Sequence, residues 1–165
     1  MPKGEFVPSF EPTHVTGVDR GTQTCPICKY PTIPGAQVWV SGDEDANVGK
    51  LAADLETKIS ALGLKKFRTF VVFVKPKDTS TADFSKKLEK ISEDYKLKNV
   101  ALVYVSPNDS AIQDYGIDLS SGRVKNTVMV YKGRRIIDNF VNLKADDKGI
   151  NELNKAVKQA VSAAK

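Results

Sequence analysis

Apolar runs alternate with helix-like patterns along most of the chain. Short apolar runs at 37–41, 70–74 and 100–105 predict three strands, and the two later runs are continuous enough to be buried on both faces. Between the strands, apolar residues recur every three or four positions, which predicts two amphipathic helices. Their inward-facing residues are Val48, Leu51, Ala52, Leu55, Ile59 and Leu62 in the first helix, and Phe84, Leu88, Ile91 and Tyr95 in the second.

The second half of the chain predicts a short helix, a hairpin and a long helix. Residues 108–110 supply capping side chains for the short helix, which ends at Gly116. Lys132-Gly133-Arg134 separates two strand-like runs, which is a β-hairpin pattern. The last helix begins near Asp146. Its inner face carries Ile150, Leu153, Val157 and Val161.

This order of elements predicts an α/β fold. Right-handed crossovers through the helices make the first three strands parallel neighbours in one sheet. The hairpin then adds antiparallel strands at an edge. We therefore expect a mixed four- to five-stranded sheet with helices on both faces, formed by residues 36–165.

Residues 1–35 are rich in proline, glycine and threonine and show little helical pattern. Segments 14–17 and 22–24 flank a turn at 19–21, which predicts a small hairpin. Three prolines after the turn favour an extended chain through the two cysteines. These prolines are Pro26, Pro31 and Pro34. We expect residues 1–35 to form an ordered, β-rich extension rather than a second domain.

Charge and composition narrow the choice of partners. The 165 residues carry a formal net charge of +5, but lysines and arginines alternate with acids along the predicted helices. No basic stripe interleaved with aromatic residues is present, so nucleic-acid binding is not expected. No apolar run is long enough to span a bilayer. No signal peptide is visible after Lys3, but a mature exported protein would look the same, and an extracytoplasmic location is favoured over a cytoplasmic one.

Cys25 and Cys28 are the only cysteines of the chain. A Cys-x-x-Cys pair in an α/β chain is typical of redox proteins, provided that a neighbour such as Lys29 or His14 activates a thiol. The pair can equally form a structural disulfide. Zinc would need His14 and an aspartate such as Asp19 as further ligands, and Cys-x-x-Cys-Lys resembles the lysine variant of the covalent haem motif. We expect no cofactor and keep zinc and haem as alternatives.

Two further segments resemble the thioredoxin-like family. They are 114–117, Asp-Tyr-Gly-Ile, and 126–133, Asn-Thr-Val-Met-Val-Tyr-Lys-Gly. The resemblance implies a thioredoxin-like fold over residues 36–164. In that family the cysteine pair follows the first core strand, whereas here it precedes the strand and segment 42–49 contains no cysteine. Asn126 stands where the family has a cis-proline.

The cysteine pair supports two functional hypotheses. In the first, the chain is a thiol–disulfide redox protein in which Cys25 attacks a protein partner and Cys28 resolves the mixed disulfide. In the second, it is a non-catalytic binding or assembly module, and the cysteines form a structural bridge that pins the extension. The sequence leaves catalysis itself open. We also expect the extension to be able to pair with a second copy, because exposed sheet edges invite strand addition.

Other candidate residues have structural interpretations. Asp43-Glu44-Asp45 follows the first strand and is explained by helix capping and by the helix dipole. His14, the only histidine, is interpreted as a hydrogen-bonded hairpin residue rather than a general base. Trp39, Tyr30 and Tyr104 are expected to lie in the core rather than to line a pocket.

Overall fold

Six strands form one mixed sheet in the computed structural model, which describes residues 1–162. The strands are β1 (Thr13–His14), β2 (Gly35–Val40), β3 (Arg68–Val74), β4 (Ala101–Val105), β5 (Asn126–Lys132) and β6 (Arg135–Val141). The helices are α1 (Pro26–Lys29), α2 (Asp45–Leu62), α3 (Thr81–Asp94), α4 (Ser110–Asp114) and α5 (Asp147–Ser162). The last three residues of the predicted domain lie outside the described residues. Within 1–162, no helix combines the length and the apolar character needed to cross a membrane.

The order of strands across the sheet is β1-β4-β3-β2-β5-β6, and its centre is parallel, as the pattern predicts. β2 pairs with β3, and β3 with β4, so that Val38, Val71 and Leu102 lie in line. β5 runs antiparallel to β2, and β6 antiparallel to β5. The turn between β5 and β6 has φ of +56° at Gly133 and +62° at Arg134. A two-residue hairpin loop in a type I′ turn requires this left-handed pair of conformations.

Each face of the sheet carries its own hydrophobic core, and helices cover both faces. Alternate residues of a strand point to opposite faces, so Val38 packs with α2, α3 and α5 while its neighbour Trp39 packs on the other side. This second core also contains Phe10 and Ile27 from the N-terminal segment and Tyr115 at the end of α4. The N-terminal segment therefore forms part of a main core.

The N-terminal segment lies along both edges of the sheet. β1 pairs antiparallel with β4 at one edge, which adds a strand beyond the predicted four or five. At the other edge, along β6, Gly4 N donates to Ile136 O at 2.8 Å and Val7 N donates to Arg134 O at 2.7 Å. Backbone groups that an open edge would offer to a second chain are thus partly paired within the same chain. Self-association through this segment and a domain boundary at residue 35 stay predictions.

Two local predictions for this segment need correction. The predicted hairpin is only a closed turn, in which His14 N donates to Thr22 O and Gly21 N donates to His14 O, both at 2.9 Å. β1 itself pairs with β4. The chain is also helical rather than extended at α1. The N–H at the first position of a helix has no partner inside the helix, so a proline there loses no hydrogen bond, and Pro26 starts α1 instead of preventing it.

Candidate functional site

The two cysteines form a disulfide at the start of α1, with their Cα atoms 5.3 Å apart. Cys25 caps the helix, and Cys28 lies in its single turn and donates its backbone N–H to Cys25 Sγ at 3.1 Å. Cys28 is exposed and Cys25 is half-buried, so solvent reaches the bridge from the Cys28 side. A backbone N–H directed at Cys25 Sγ favours the thiolate of that residue once the bridge is reduced.

Apolar packing fixes α1 to the sheet. Ile27 is buried in the second core, which also holds Phe10, Trp39 and Tyr115. The ring centroids lie 5.4 Å apart for Phe10 and Trp39, and 4.8 Å apart for Trp39 and Tyr115. Full burial of an isoleucine side chain contributes about 1.5–3 kcal/mol. The cysteine pair therefore sits on a well-packed support.

Polar contacts hold both ends of the cysteine loop. Before the loop, His14 Nε2 donates to the carbonyl oxygen of Thr24 at 2.8 Å. After it, Lys29 forms an ion pair with the carboxylate of Asp19, which is buried. His14 ends β1 and Asp19 lies in the turn that follows it, so β1 and this turn together position the loop that carries the disulfide.

These contacts also set the protonation of the two groups. Burial lowers the pKa of His14, and the bond to Thr24 and the nearby Asp19 oppose the shift in part. The hydrogen bond to Asp19 raises the pKa of Lys29. His14 Nδ1 is buried and lacks a hydrogen-bond partner among the described residues. Both groups that the sequence suggests as thiol activators are therefore bonded within the N-terminal segment, one to a backbone carbonyl and one to a carboxylate.

A groove of about 380 Å³ opens beside the disulfide. It is lined by Ser9, Phe10, Glu11, Cys25, Cys28, Asp109 and Ser110. Asp109 caps α4 as predicted, because its Oδ1 accepts from Ala111 N at 2.9 Å. Its place beside the cysteines, and that of Glu11, had no signal in the sequence, because the groove is formed by three segments that are far apart along the chain.

Three solved structures resemble this chain over nearly its whole length. Peroxidoxin BcpB from Mycobacterium tuberculosis superposes with a TM-score of 0.68 at 14% identity, over 99% of this chain and 98% of that chain. A thiol:disulfide interchange protein from Bacteroides sp. gives 0.66 at 15% identity, over 100% and 93%. The pneumococcal exposed lipoprotein thioredoxin Etrx1 from Streptococcus pneumoniae gives 0.63 at 14% identity, over 92% and 99%. The chain has a thioredoxin-like fold.

The predicted resemblance to thioredoxin-like proteins is therefore confirmed at the level of the fold. Neither a protein-family model nor a curated protein matches the sequence. At identities of 14–15%, the likeness establishes the thioredoxin-like fold, whereas activity depends on the chemistry of the site itself.

In this thioredoxin-like fold, the position after β2 holds a polar network instead of cysteines. Asp43 Oδ2 accepts hydrogen bonds from Asn47 Nδ2 at 2.6 Å and from Asn126 Nδ2 at 2.7 Å. Asn126 is buried and bonds both backbone groups of Leu143, since Nδ2 donates to the carbonyl oxygen and Oδ1 accepts from the N–H, each at 3.0 Å. The network ties the start of β5 to the start of α2 and to the segment after β6.

The acidic cluster at this position does not cap the helix as predicted. Glu44 is the capping residue of α2, but its side chain makes no capping hydrogen bond. Asp43 accepts from Glu44 N at 2.9 Å and otherwise bonds the two side-chain amides. Several small polar residue types can cap a helix, so an acidic cluster before a helix predicts capping. The role of Asp43 depends instead on its contact with Asn126, which lies far along the chain. Asp43 is therefore a cross-linking residue.

The residues considered for zinc or haem have other partners. Cys25 and Cys28 are bonded to each other, His14 bonds a backbone carbonyl, and Asp19 pairs with Lys29. Among the described residues, no group of three potential metal ligands is arranged to hold an ion. Zinc and covalent haem stay alternative predictions.

The aromatic residues near the cysteines are packing residues. Trp39 and Tyr104 lie in the two cores, as expected. The expectation is wrong for Tyr30, which is half-buried, belongs to neither core and lines a small surface pocket. The guanidinium carbon of Arg68 lies 3.5 Å from the centre of its ring. A cation over a ring face contributes about 0.5–1 kcal/mol at exposed sites. Tyr30 thus holds the end of α1 against β3.

Proposed function

We propose that the protein is a thiol–disulfide redox protein that works through Cys25 and Cys28. The observation that carries the proposal is the position of the disulfide, because Cys28 is exposed and a groove lies beside the bridge. A bridge that an incoming thiol can reach is suited to exchange. The names of the structural neighbours describe thiol chemistry, which supports the same class of function by analogy of fold.

The two sulfurs have different roles in this proposal. An incoming thiolate attacks the more exposed Cys28, and Cys25 leaves as a thiolate that accepts the N–H of Cys28. In the reverse direction, the Cys25 thiolate resolves a mixed disulfide formed on Cys28. Exposure therefore favours an order opposite to the expectation from sequence, in which Cys25 attacks and Cys28 resolves.

Single serine variants test both the function and the order. We expect Cys25→Ser, which keeps the exposed thiol, to accumulate a mixed disulfide with a peptide disulfide, and Cys28→Ser to accumulate much less. Mass spectrometry after acid quenching measures the adducts, and the double serine variant is the matched control. Equal exchange turnover in the wild type and in either single variant contradicts the redox proposal. An adduct that forms mainly in Cys28→Ser contradicts the proposed order only.

A second candidate function is non-catalytic binding or assembly, with the bridge as a structural staple. Its support is the packing of α1 on the second core and the polar network of Asp43 and Asn126, which stand where the family has its reactive pair and its cis-proline. The short loop counts against this candidate, because a disulfide that closes so short a loop restricts the unfolded chain little and therefore stabilises the fold little. A reduction potential below about −300 mV would favour the staple over the redox function.

Protein thiols or disulfides are the partners in this proposal, and an extracytoplasmic compartment is the location. One structural neighbour is described as an exposed lipoprotein thioredoxin, and disulfides persist in oxidising compartments outside the cytosol. Reduction and labelling of intact producing cells with a membrane-impermeant maleimide tests the location. Modification of Cys28 before lysis supports it, and modification only after lysis contradicts it.

A further inference from the structure

The ionisable residues that line the groove beside the disulfide have the opposite sign to the net charge of the protein. The chain carries a formal net charge of +5, yet the ionisable residues that line the groove, apart from the cysteines, are Glu11 and Asp109. Glu11 is exposed, and Asp109 is half-buried at the start of α4. A thiol that approaches Cys28 through this groove therefore passes two carboxylates.

Two basic residues lie at the margin of this groove, and each is engaged by another group. Lys29 forms an ion pair with Asp19. Arg134 donates to Ser9 Oγ at 2.8 Å, and its guanidinium carbon lies 5.0 Å from the centre of the Phe6 ring. Neither lysine nor arginine is among the residues that line the groove. The ionisable side chains that line the groove, apart from the cysteines, are therefore acidic on a protein that is positive overall, while Lys29 and Arg134 stay at its margin.

We propose that the disulfide reacts preferentially with cationic thiols, which carry an ammonium or guanidinium group close to the reacting sulfur. The proposal rests on the proposed redox function and names its substrate class. Glu11 and Asp109 attract such a group and repel an anionic thiol, and this difference acts mainly on the rate of encounter. The net charge of the protein would produce the opposite preference, so a preference for cations reports the groove specifically.

The reaction balances with two equivalents of thiol. The first thiolate attacks Cys28 Sγ, the bond between Cys28 and Cys25 breaks, and Cys25 leaves as a thiolate that takes a proton from water. A second thiolate attacks the substrate sulfur of the mixed disulfide and releases Cys28. Two electrons pass from the substrate to the protein, the bridge becomes a dithiol, and the two thiols become a disulfide.

The test compares thiols of opposite charge. Reduction of the bridge is followed by acid quenching and mass spectrometry with cysteamine and 3-mercaptopropionate, and with cysteine peptides flanked by lysine or by glutamate. Each rate is divided by the rate of the same thiol with bis(2-hydroxyethyl) disulfide, because thiols differ in intrinsic reactivity. We expect the cationic member of a pair to react about tenfold faster at low salt. The ratio should approach one near 1 M salt, where the Debye length is about 3 Å.

Two double variants separate the groove from the overall charge. Glu11→Gln/Asp109→Asn removes both groove carboxylates, and asparagine keeps the helix-capping ability at position 109. Glu93→Gln/Glu152→Gln removes the same charge from exposed positions on α3 and α5, which cover the other face of the sheet. We expect the first variant to lose most of the preference for cations and the second to retain it.

The possible outcomes are distinguishable. If only the lysine-flanked peptide reacts faster than its acidic counterpart, the groove selects basic peptides. If cysteamine also reacts faster than 3-mercaptopropionate, the groove selects cationic thiols in general. Both results support the proposal. Equal rates at low salt, a preference for anionic thiols, or the same loss in both double variants overturns it. If no thiol reduces the bridge at all, the proposed redox function itself fails.

Discussion

Replacing Asn126 with alanine tests whether the network after β2 is structural. The change removes the hydrogen bonds of Asn126 with Asp43 Oδ2 and with both backbone groups of Leu143. Asn47 Nδ2 also donates to Asp43 Oδ2 and to Leu143 O, so these two acceptors keep a partner. The Leu143 N–H loses the acceptor Asn126 Oδ1 at a buried position.

The expected loss of stability follows from this count. Leaving one buried donor unpaired costs about 1–3 kcal/mol, and each of the two other lost hydrogen bonds contributes about 1 kcal/mol. We therefore expect Asn126→Ala to lower the free energy of unfolding by about 3–5 kcal/mol. For a chain of this length, a loss of that size should lower Tm by roughly 10 °C.

Urea unfolding, followed by the fluorescence of the single buried tryptophan Trp39, measures the change. Asn151→Ala, at an exposed position on α5, is the matched control and should change stability by less than about 0.5 kcal/mol. The network and the disulfide share no side chain, so the reduction potential of the bridge should stay the same in Asn126→Ala. A loss below about 1 kcal/mol refutes the structural role, and a potential shift above about 30 mV refutes its independence from the bridge.

Two further predictions concern His14 and Gly49. Burial lowers the pKa of His14 in the folded protein. Below about pH 6.5, therefore, the imidazole binds a proton in the unfolded chain but not in the folded protein. The free energy of unfolding then decreases as the pH falls, by at most about 1.4 kcal/mol per pH unit. The fall in the urea midpoint from about pH 8 to about pH 5 should be smaller in His14→Gln, and equal slopes contradict this reasoning. Gly49→Ala should destabilise by about 1–3 kcal/mol, although alanine is the better helix former, because the new Cβ overlaps the Tyr95 ring. A gain in stability, or no rescue by Tyr95→Leu, argues against that contact.

The main elements could be predicted because their signals are local. The continuous run from Phe70 to Val74 forms a strand buried through most of its length. Ser80 caps α3 by accepting from Asp83 N, three residues further along the chain. The turn at Lys132 to Arg134 closes the predicted hairpin. In each case the residues that determine the structure lie within a few positions of one another.

The site could be predicted only in part, because its remaining parts are set by contacts between distant segments. The cysteine pair is visible in the sequence, but the helix that holds it depends on the position of Pro26 and on burial of Ile27 in the second core. Glu11 and Asp109 meet at the groove only after folding. The role of Asp43 likewise depends on Asn126, which belongs to a strand far along the chain.

The reduction potential of the Cys25–Cys28 couple tests the proposed function most directly. The folded full-length chain is equilibrated in graded dithiol buffers, the thiols are trapped by alkylation, and the two forms are counted by mass spectrometry. A redox protein should give a reversible potential between about −120 and −270 mV, in the range of known exchange proteins. A potential below about −300 mV would contradict the proposal and identify the bridge as a structural staple.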